Sequence, residues 1–424
     1  MENDGIAINH SMINFKQAWQ QVKEWAAVVG PGLIVMLADT DAGCLITAAQ
    51  SGNQFGYSMV LPQIALIPVL FMVQEITVRL GIITQKGHGE LIRKYFGKNW
   101  AYISAITLLI SVVGAMITEF IGIAGVGELF GISRWITIPI CTITLIIVAL
   151  LGNYHRVERI GISFGIFELM FIIGIIMVKP DTSQLVNGIM TVPIHDKSYI
   201  YMIAANVGAV IMPWMIFYQQ SAVTDKHLKP NMVKKEQSDT LAGTFITQGI
   251  MIGFVIFFAA TTFNKGSVIL NTVSDLVNEM ALFIGPAASK IILGTSLLGG
   301  SLVAAIVVSL AGTWGMSEVL NWPHSLNEGL NKSNYGFYLM YAAILVVPAI
   351  MVLFIKNMVE IAVSIEVLNA LMIPIVLGFL LLLESRALPE KYRMRGIYKY
   401  TVIISSLVVM IFGIYMIGPS FNLW

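Results

Sequence analysis

Residues 30–44 read GPGLIVMLADTDAGC, and this stretch places Asp39 and Asp41 inside an apolar run. A carboxylate at the centre of a membrane helix costs roughly 2.5–3.5 kcal/mol on insertion scales, so such residues are rarely kept without a function. Because the two are two positions apart, an uninterrupted helix would point their side chains to different sides. Alanine and glycine follow at once, and we predict that the helix breaks here. The pattern is typical of a substrate or ion site.

The composition of the chain is that of a membrane protein. Hydrophobic residues make up 57% of the 424 residues and charged residues only 12%, whereas soluble proteins carry about 25% charged residues. The mean hydropathy is +0.79. A net charge of +1 and the lack of a basic stripe with aromatic partners argue against nucleic-acid binding. We therefore predict a polytopic protein of a bacterial-type inner membrane, in contact with the lipid bilayer and possessing no nucleic-acid partner.

Several other protein classes are disfavoured by what the sequence lacks. Cys44 and Cys141 both lie in apolar segments, which argues against a disulfide framework or a CxxC metal site. The first 25 residues are mixed and polar, so we expect no cleavable signal peptide. No nucleophile–base pair or nucleotide motif indicates an enzyme. We expect a transporter without a cofactor, and a monomer.

Apolar stretches of about 20 residues predict about eleven membrane helices. They lie near 27–50, 57–83, 101–129, 133–152, 159–179, 197–223, 241–264, 282–318, 335–355, 358–384 and 398–420. The stretch 282–318 is too long for one simple span. This pattern divides the chain into an N-terminal cytoplasmic segment, two five-helix halves and a final helix, at 1–26, 27–180, 197–384 and 398–424.

The loops predict the orientation in the membrane. Basic residues cluster after the second, fourth, sixth and tenth predicted spans, in the stretches 86–98, 156–159, 226–235 and 386–399. With an odd number of spans, all of these loops lie on one side of the membrane, and loops such as 51–57 on the other side hold few cations. By the positive-inside rule, we expect a cytoplasmic N-terminus and an extracytoplasmic C-terminus.

The sixth span is interrupted in the same place as the first. Residues 206–214 read NVGAVIMPW, with Gly208 and Pro213 near the centre of the span. Pro213 alone would be explained by a simple kink, but two interruptions in corresponding spans predict an inverted-repeat transporter whose site lies at the membrane midplane. Backbone carbonyls freed at such breaks can coordinate a cation, because irregular backbone is tolerated where it lines a cavity.

These residues resemble the motifs of the NRAMP (natural resistance-associated macrophage protein) family. The matching motifs are GPG at 30–32, DAGC at 41–44, SGNQFGY at 51–57, RLGIIT at 79–84, TEF at 118–120 and MP at 212–213. The resemblance implies an all-α integral membrane protein with a LeuT-like fold, made of two inverted five-helix repeats plus an eleventh helix. It also implies secondary transport of divalent metals, typically manganese or iron together with protons.

The sequence departs from the family at the two breaks. The family motif Asp-Pro-Gly-Asn is Asp-Ala-Gly-Cys at 41–44, so the metal-binding aspartate is kept as Asp41 and the asparagine is replaced by Cys44. The motif Met-Pro-His is Met-Pro-Trp at 212–214, so the thioether is kept and the imidazole is lost. The new Pro-Trp pair is similar to a divergent branch, the NRAMP-related magnesium transporters, although that branch tends to replace the thioether.

Further departures affect the proton route that the resemblance implies. An acid expected three residues before Glu119 is Met116, and arginines of the ninth helix have no counterpart at Ala342 and Ala343. Two other positions also change, with Glu366 aligned to a glutamine and Gln219 or Gln220 aligned to a histidine. We therefore expect the proton route of the family to be lost.

Asp41 is the strongest candidate ligand, together with backbone carbonyls near Ala38 and Val210. A site of oxygens alone suits Mg²⁺ or Mn²⁺, whereas a thioether from Met212 favours softer metals. Cys44 is a possible thiolate ligand, but a lone cysteine in an apolar helix is more often a packing residue. Asp39 has no equivalent in the family motif, and it either adds charge to the site or caps the broken helix.

The remaining candidates line the predicted pocket or couple ions to it. Trp214 either narrows the route for a hydrated ion or forms one wall of an apolar pocket for an organic molecule. The other candidates, each with helix–helix hydrogen bonding or a structural role as its alternative, are Asn206, Gln219, Gln220, Glu119 and Glu366. Our first hypothesis is a transporter of a divalent cation of the Mg²⁺ or Mn²⁺ class. The alternative is a transporter of a small organic acid or amino-acid-like substrate on the same fold.

Overall fold

A computed structural model describes residues 30–150, 154–263 and 268–420, and the predicted N-terminal segment 1–26 lies outside these ranges. The described chain is built from α-helices joined by short turns and 3₁₀ segments. The helices are α1 (Pro31–Asp39), α2 (Ala42–Phe55), α3 (Val60–Thr84), α4 (His88–Phe96), α5 (Lys98–Leu129), α6 (Arg134–Leu150), α7 (Tyr154–Gly165), α8 (Phe171–Val178), α9 (Thr182–Met190), α10 (Lys197–Val210), α11 (Pro213–Asp225), α12 (Val233–Thr261), α13 (Val273–Ile284), α14 (Pro286–Leu320), α15 (Tyr335–Val352), α16 (Met358–Ala387), α17 (Gly396–Tyr415) and α18 (Ile417–Ser420).

Among the described residues, nine helical runs are long and apolar enough to cross a membrane. One of them, Ala42–Thr84, contains a turn at Gly56, where φ is 60°, and therefore joins the second half of the first predicted span to the second predicted span. The helix α6 is apolar but shorter. Each predicted span thus coincides with a helix or a broken pair of helices. The stretch 282–318, which we expected to be too long for one simple span, holds the end of α13, the break at Gly285 and most of α14, a helix of 35 residues.

Both predicted interruptions are confirmed, and local chemistry explains each one. The helix α1 ends at Asp39, and α2 begins at Ala42 with Asp41 as its N-cap, whose side chain accepts a hydrogen bond from the backbone of Cys44. The helix α10 ends at Val210, and α11 starts with Pro213 at its first position. Proline is tolerated there because the first N–H groups of a helix have no acceptor within it.

The two broken pairs lie in the interior of the bundle. The helix α14 packs along α5, α12 packs on α1 and α2, and α10 packs on α16. The contact between α10 and α16 requires Gly208, because a Cβ there would lie 1.8 Å from the backbone oxygen of Glu366. This close approach places Glu366 beside both breaks. The boundaries of the two five-helix halves stay a prediction.

Candidate functional site

The break in the first span exposes backbone groups that an unbroken helix would pair internally. The N–H of Ala42, which would donate to the carbonyl of Ala38 in an unbroken helix, donates instead to Oε2 of Glu119 at 3.3 Å. Oδ1 of Asp41 accepts from the N–H of Cys44 at 2.7 Å. The carbonyl of Ala38 therefore loses its usual donor. The side chains of Glu119 and Asp41 accept the N–H groups at the start of α2.

The break in the second span frees carbonyls by a different route. Pro213 has no N–H, so the carbonyl of Ala209 lacks its normal helical donor and accepts the thiol of Cys44 at 3.0 Å. This contact joins the two breaks directly. In an unbroken helix the N–H of Trp214 would donate to the carbonyl of Val210, four residues earlier. Because α10 ends at Val210 and Trp214 belongs to the first turn of α11, this carbonyl has no donor from its own helix.

Carboxylate oxygens without partners gather around the first break. Both oxygens of Asp39, Oδ2 of Asp41 and Oε1 of Glu366 are buried and accept no hydrogen bond. Oε1 of Glu366 lies against Gly43, where a Cβ would approach it to 2.2 Å. Among the residues described, none of these acids pairs with Lys, Arg or His. The break is thus a concentration of buried carboxyl groups.

The side chain of Met212 is already engaged. Nε1 of Trp214 donates a hydrogen bond to its sulfur at 3.1 Å, and both side chains are fully buried. One lone pair of the thioether is therefore occupied by a neighbour in the same motif. The described ranges contain no group of three His, Cys, Asp or Glu side chains arranged as a complete metal site. A metal held here would need backbone oxygens or water in addition to carboxylates.

Cavities lie at both ends of the bundle; the end with the smaller one, of about 350 Å³, is called the closed end because buried polar contacts hold α1 there. A cavity of about 770 Å³ lies between the far ends of α2, α10 and α16, and its lining includes Gln50 and Met202, each about two turns from a break. At the other end, the N–H groups of Gly30 and Leu33 donate to Asp239. Beside them the buried ammonium of Lys226 pairs with Glu158 at 3.1 Å.

A family model described as "Natural resistance-associated macrophage protein-like" matches residues 32–418. The chain belongs to this Nramp family. It is 24% identical to a relative named divalent metal cation transporter MntH, from Chromohalobacter salexigens, over 70% of this chain and 71% of the relative.

Solved structures confirm the predicted fold class. A manganese transporter from Eremococcus coleocola has a TM-score of 0.75 at 16% identity, covering 94% of this chain and 87% of that one. A structure titled MhsT in complex with L-phenylalanine has a TM-score of 0.60 at 12% identity, covering 91% of this chain and 98% of that one. The Nramp chain is therefore a multi-pass, all-α membrane protein with a LeuT-like fold.

The structure brings together only part of the predicted site. Asp39, Asp41, Cys44, Glu119 and Glu366 meet at the first break, with the ends of α1 and α10 beside them. The three remaining polar candidates make helix–helix hydrogen bonds farther along α10 and α11. Asn206 bonds Gln63 and Ser51, Gln219 bonds Thr240, and Gln220 bonds Lys86 and His88.

Burial lowers the pKa of His88 to about 4, and the hydrogen bond with Gln220 opposes part of this shift.

Sequence reasoning missed Glu168. This acid lies in a 3₁₀ segment, Ile166–Met170, between α7 and α8, and its carboxyl group is fully buried beside the side chain of Thr40. It interacts electrostatically with Asp41 and Asp39. The signal that points to it is the general rule that an ionisable residue inside a membrane span marks a functional site.

Proposed function

We propose that this Nramp protein is a secondary transporter that moves a divalent cation of the Mg²⁺ or Mn²⁺ class across the inner membrane by alternating access. The observation that carries the proposal is the set of partnerless carboxylate oxygens on Asp39, Asp41 and Glu366. Buried carboxylates are paired, protonated or bound to cations, because an isolated charge in a medium of low dielectric constant is very costly. A divalent cation at the break would offset two of these charges.

The available donors favour a hard cation. Carboxylates are joined by the carbonyls of Ala38 and Val210, while the thiol of Cys44 donates to Ala209 and the sulfur of Met212 accepts from Trp214. Both sulfur atoms already make a protein contact, so the ligand atoms without such a contact are oxygens. Mg²⁺ and Mn²⁺ prefer oxygen ligands, and Mg²⁺ usually keeps several of its waters.

The charge distribution disfavours an organic acid. An anionic substrate at the break would face Asp39, Asp41 and Glu366, and none of these acids forms an ion pair with a cationic side chain among the described residues. Like charges repel strongly at sites of low dielectric constant. The likeness to a structure with bound L-phenylalanine supports a shared fold, not a shared substrate.

Alternating access is supported by the unequal ends of the bundle. The cavity lined by Gln50 and Met202 approaches the breaks from the predicted extracytoplasmic side. At the predicted cytoplasmic end, α1 is held by Asp239 and by the ion pair of Lys226. We infer that transport requires the cytoplasmic end to open while the cavity at the extracytoplasmic end closes. The neutral Met116 and the alanines at 342 and 343 support loss of the proton route of the family.

Uptake into proteoliposomes tests the proposal. Wild-type protein should carry Mn²⁺ or Mg²⁺ into vesicles that hold a metal-sensitive dye, with no imposed pH gradient. Asp41→Asn should abolish uptake, whereas Asp196→Asn, which changes an exposed N-cap aspartate, should transport normally. Uptake of amino acids or small carboxylates without any divalent cation would replace the proposal by the alternative substrate class.

A further inference from the structure

Three aromatic side chains form a row at the predicted cytoplasmic end of the bundle. The ring of Phe379 on α16 lies 5.6 Å from the ring of Phe96 on α4 and 6.0 Å from the ring of Trp100 on α5, measured between ring centroids. Trp100 is 53% exposed. Tryptophan is enriched where the apolar core of a membrane meets the lipid headgroups. The row therefore reaches the surface at the depth of the headgroups.

Three cationic side chains, which we call the basic patch, border this row. The guanidinium of Arg386, in the last turn of α16, lies 4.9 Å from the centre of the Phe96 ring. Lys98 begins α5 two residues after Phe96, and Lys94 lies in the last turn of α4. All three cations are exposed. None of them takes part in the ion pairs of the described residues, so the patch is positively charged.

The start of α5 adds hydrogen-bond donors and open space to the basic patch. Gly97 is the N-cap of this helix, with φ of 91°, and no side chain of the described residues caps the first turn. A Cβ on Gly97 would have no other described atom within 4 Å. The first N–H groups of a helix have no acceptor within it, and the helix dipole favours an anion there. The free donors and the two lysines thus favour the same kind of ligand.

We propose that the basic patch binds the headgroup of an anionic phospholipid, such as phosphatidylglycerol, in the leaflet on this side of the membrane. The phosphate binds Arg386, Lys98 and the first turn of α5, and the acyl chains pack along Trp100. A lipid fits better than a soluble anion, because the cations lie at the ends of membrane helices beside an apolar surface. Basic pockets between membrane helices on the cytoplasmic side are known to bind such headgroups. The bound lipid joins α4, α5 and α16 at one end of the bundle.

Thermal unfolding in detergent micelles tests the binding of this lipid. A ligand that binds only the folded state raises the midpoint of unfolding. Phosphatidylglycerol should raise the midpoint of the wild type more than the same amount of phosphatidylcholine at equal ionic strength. Because each basic side chain near a membrane surface contributes about fivefold in affinity for anionic lipid, Arg386→Gln and Lys98→Gln should each weaken the apparent affinity by that factor. The double variant should lose about 25-fold.

Lys290→Gln is the matched control. Lys290 is an exposed lysine near the start of α14, on the opposite side of the membrane in the predicted topology. This variant removes the same charge away from the basic patch and should keep the full response to phosphatidylglycerol. The proposal is overturned by an equal response of the wild type to both lipids, by an unchanged response of the double variant, or by an equal loss in Lys290→Gln.

Fluorescence quenching locates the bound lipid. In vesicles of phosphatidylcholine, brominated phosphatidylglycerol should quench the tryptophan fluorescence of the wild type more than brominated phosphatidylcholine at the same mole fraction. Trp100→Phe should remove this excess, and the double variant of Arg386 and Lys98 should reduce it. An excess that persists in Trp100→Phe would place the lipid elsewhere and refute the proposal. Inorganic phosphate should not relieve the quenching, and relief by phosphate would assign the patch to a soluble anion instead.

Discussion

Replacing Asp41 by asparagine separates the binding role of this residue from its structural role. Oδ1 caps α2 by accepting the N–H of Cys44, and Oδ2 has no partner. Asparagine is as good an N-cap as aspartate, so Asp41→Asn keeps the cap and removes only the charge. The variant also relieves repulsion with Asp39 and Glu366, whose carboxylates interact electrostatically with Asp41.

The size of the effect follows from Coulomb's law. At an effective dielectric constant of about 20, a divalent ion about 3 Å from the centre of a coordinating carboxylate gains roughly 11 kcal/mol, twice the value for two unit charges. Desolvation of both groups offsets more than half of this gain. A remaining loss of about 3 kcal/mol corresponds to roughly a hundredfold weaker binding. In the absence of metal, the variant should unfold at the same temperature as the wild type or higher.

Thermal unfolding with a titration of Mn²⁺ or Mg²⁺ measures both effects in one assay. The wild type should be stabilised by the metal, while Asp41→Asn should start at an equal or higher midpoint and respond only at about a hundredfold higher concentration. Asp196→Asn controls for the change of an N-cap aspartate. A lower midpoint without metal, combined with an unchanged metal response, would show that Asp41 is a structural cap and not a ligand.

Three further predictions concern selectivity, gating and pH. Trp214→Phe removes the hydrogen bond to the sulfur of Met212. The ratio of Cd²⁺ affinity to Mg²⁺ affinity should rise roughly fivefold, since such a bond contributes about 1 kcal/mol. An unchanged ratio in competition assays would show that this hydrogen bond does not keep the sulfur from the metal. Lys226→Met removes the buried ion pair at the closed end. A thiol reagent added on the cytoplasmic side should then label the buried Cys44 faster than in the wild type. Equal labelling rates would show that the ion pair does not hold this end closed. Because burial lowers the pKa of His88 from 6.5 to about 4, stability is complete above pH 6.5 and is lost as the pH falls toward 4, by about 2 kcal/mol at pH 5. A His88→Asn variant should lose correspondingly less stability between pH 7.5 and pH 5, and identical losses would exclude this histidine as the cause.

The breaks could be predicted from sequence because their causes are local. Asp41 followed by alanine and glycine, and Pro213 after a run of small residues, interrupt a helix whatever surrounds them. The membrane class follows from composition alone. The resemblance pointed to Asp41 and Glu366, whereas Asp39 has no equivalent in the family motif; the structure places all three around one break.

The contacts that decide the chemistry depend on how distant helices meet. The cysteine thiol at position 44 binds a carbonyl 165 residues away, and Glu168 faces the break only because Gly299 and Gly300 let α14 approach the 3₁₀ segment. Periodicity in a fully apolar span does not indicate which side faces the site. For the same reason, nothing in the sequence distinguished the helix–helix hydrogen bonds of Asn206 and Gln219 from a role in the pocket.

Locating a bound ion tests the central claim most directly. Crystals of the protein soaked in Mn²⁺ and measured at the manganese absorption edge should show an anomalous peak at about 2.1 Å from Oδ2 of Asp41, the distance typical of small hard divalent ions. The same peak should lie beside the carbonyls of Ala38 and Val210. A peak elsewhere, for instance among the acids near Glu318 at the closed end, with none at the break, would contradict the account.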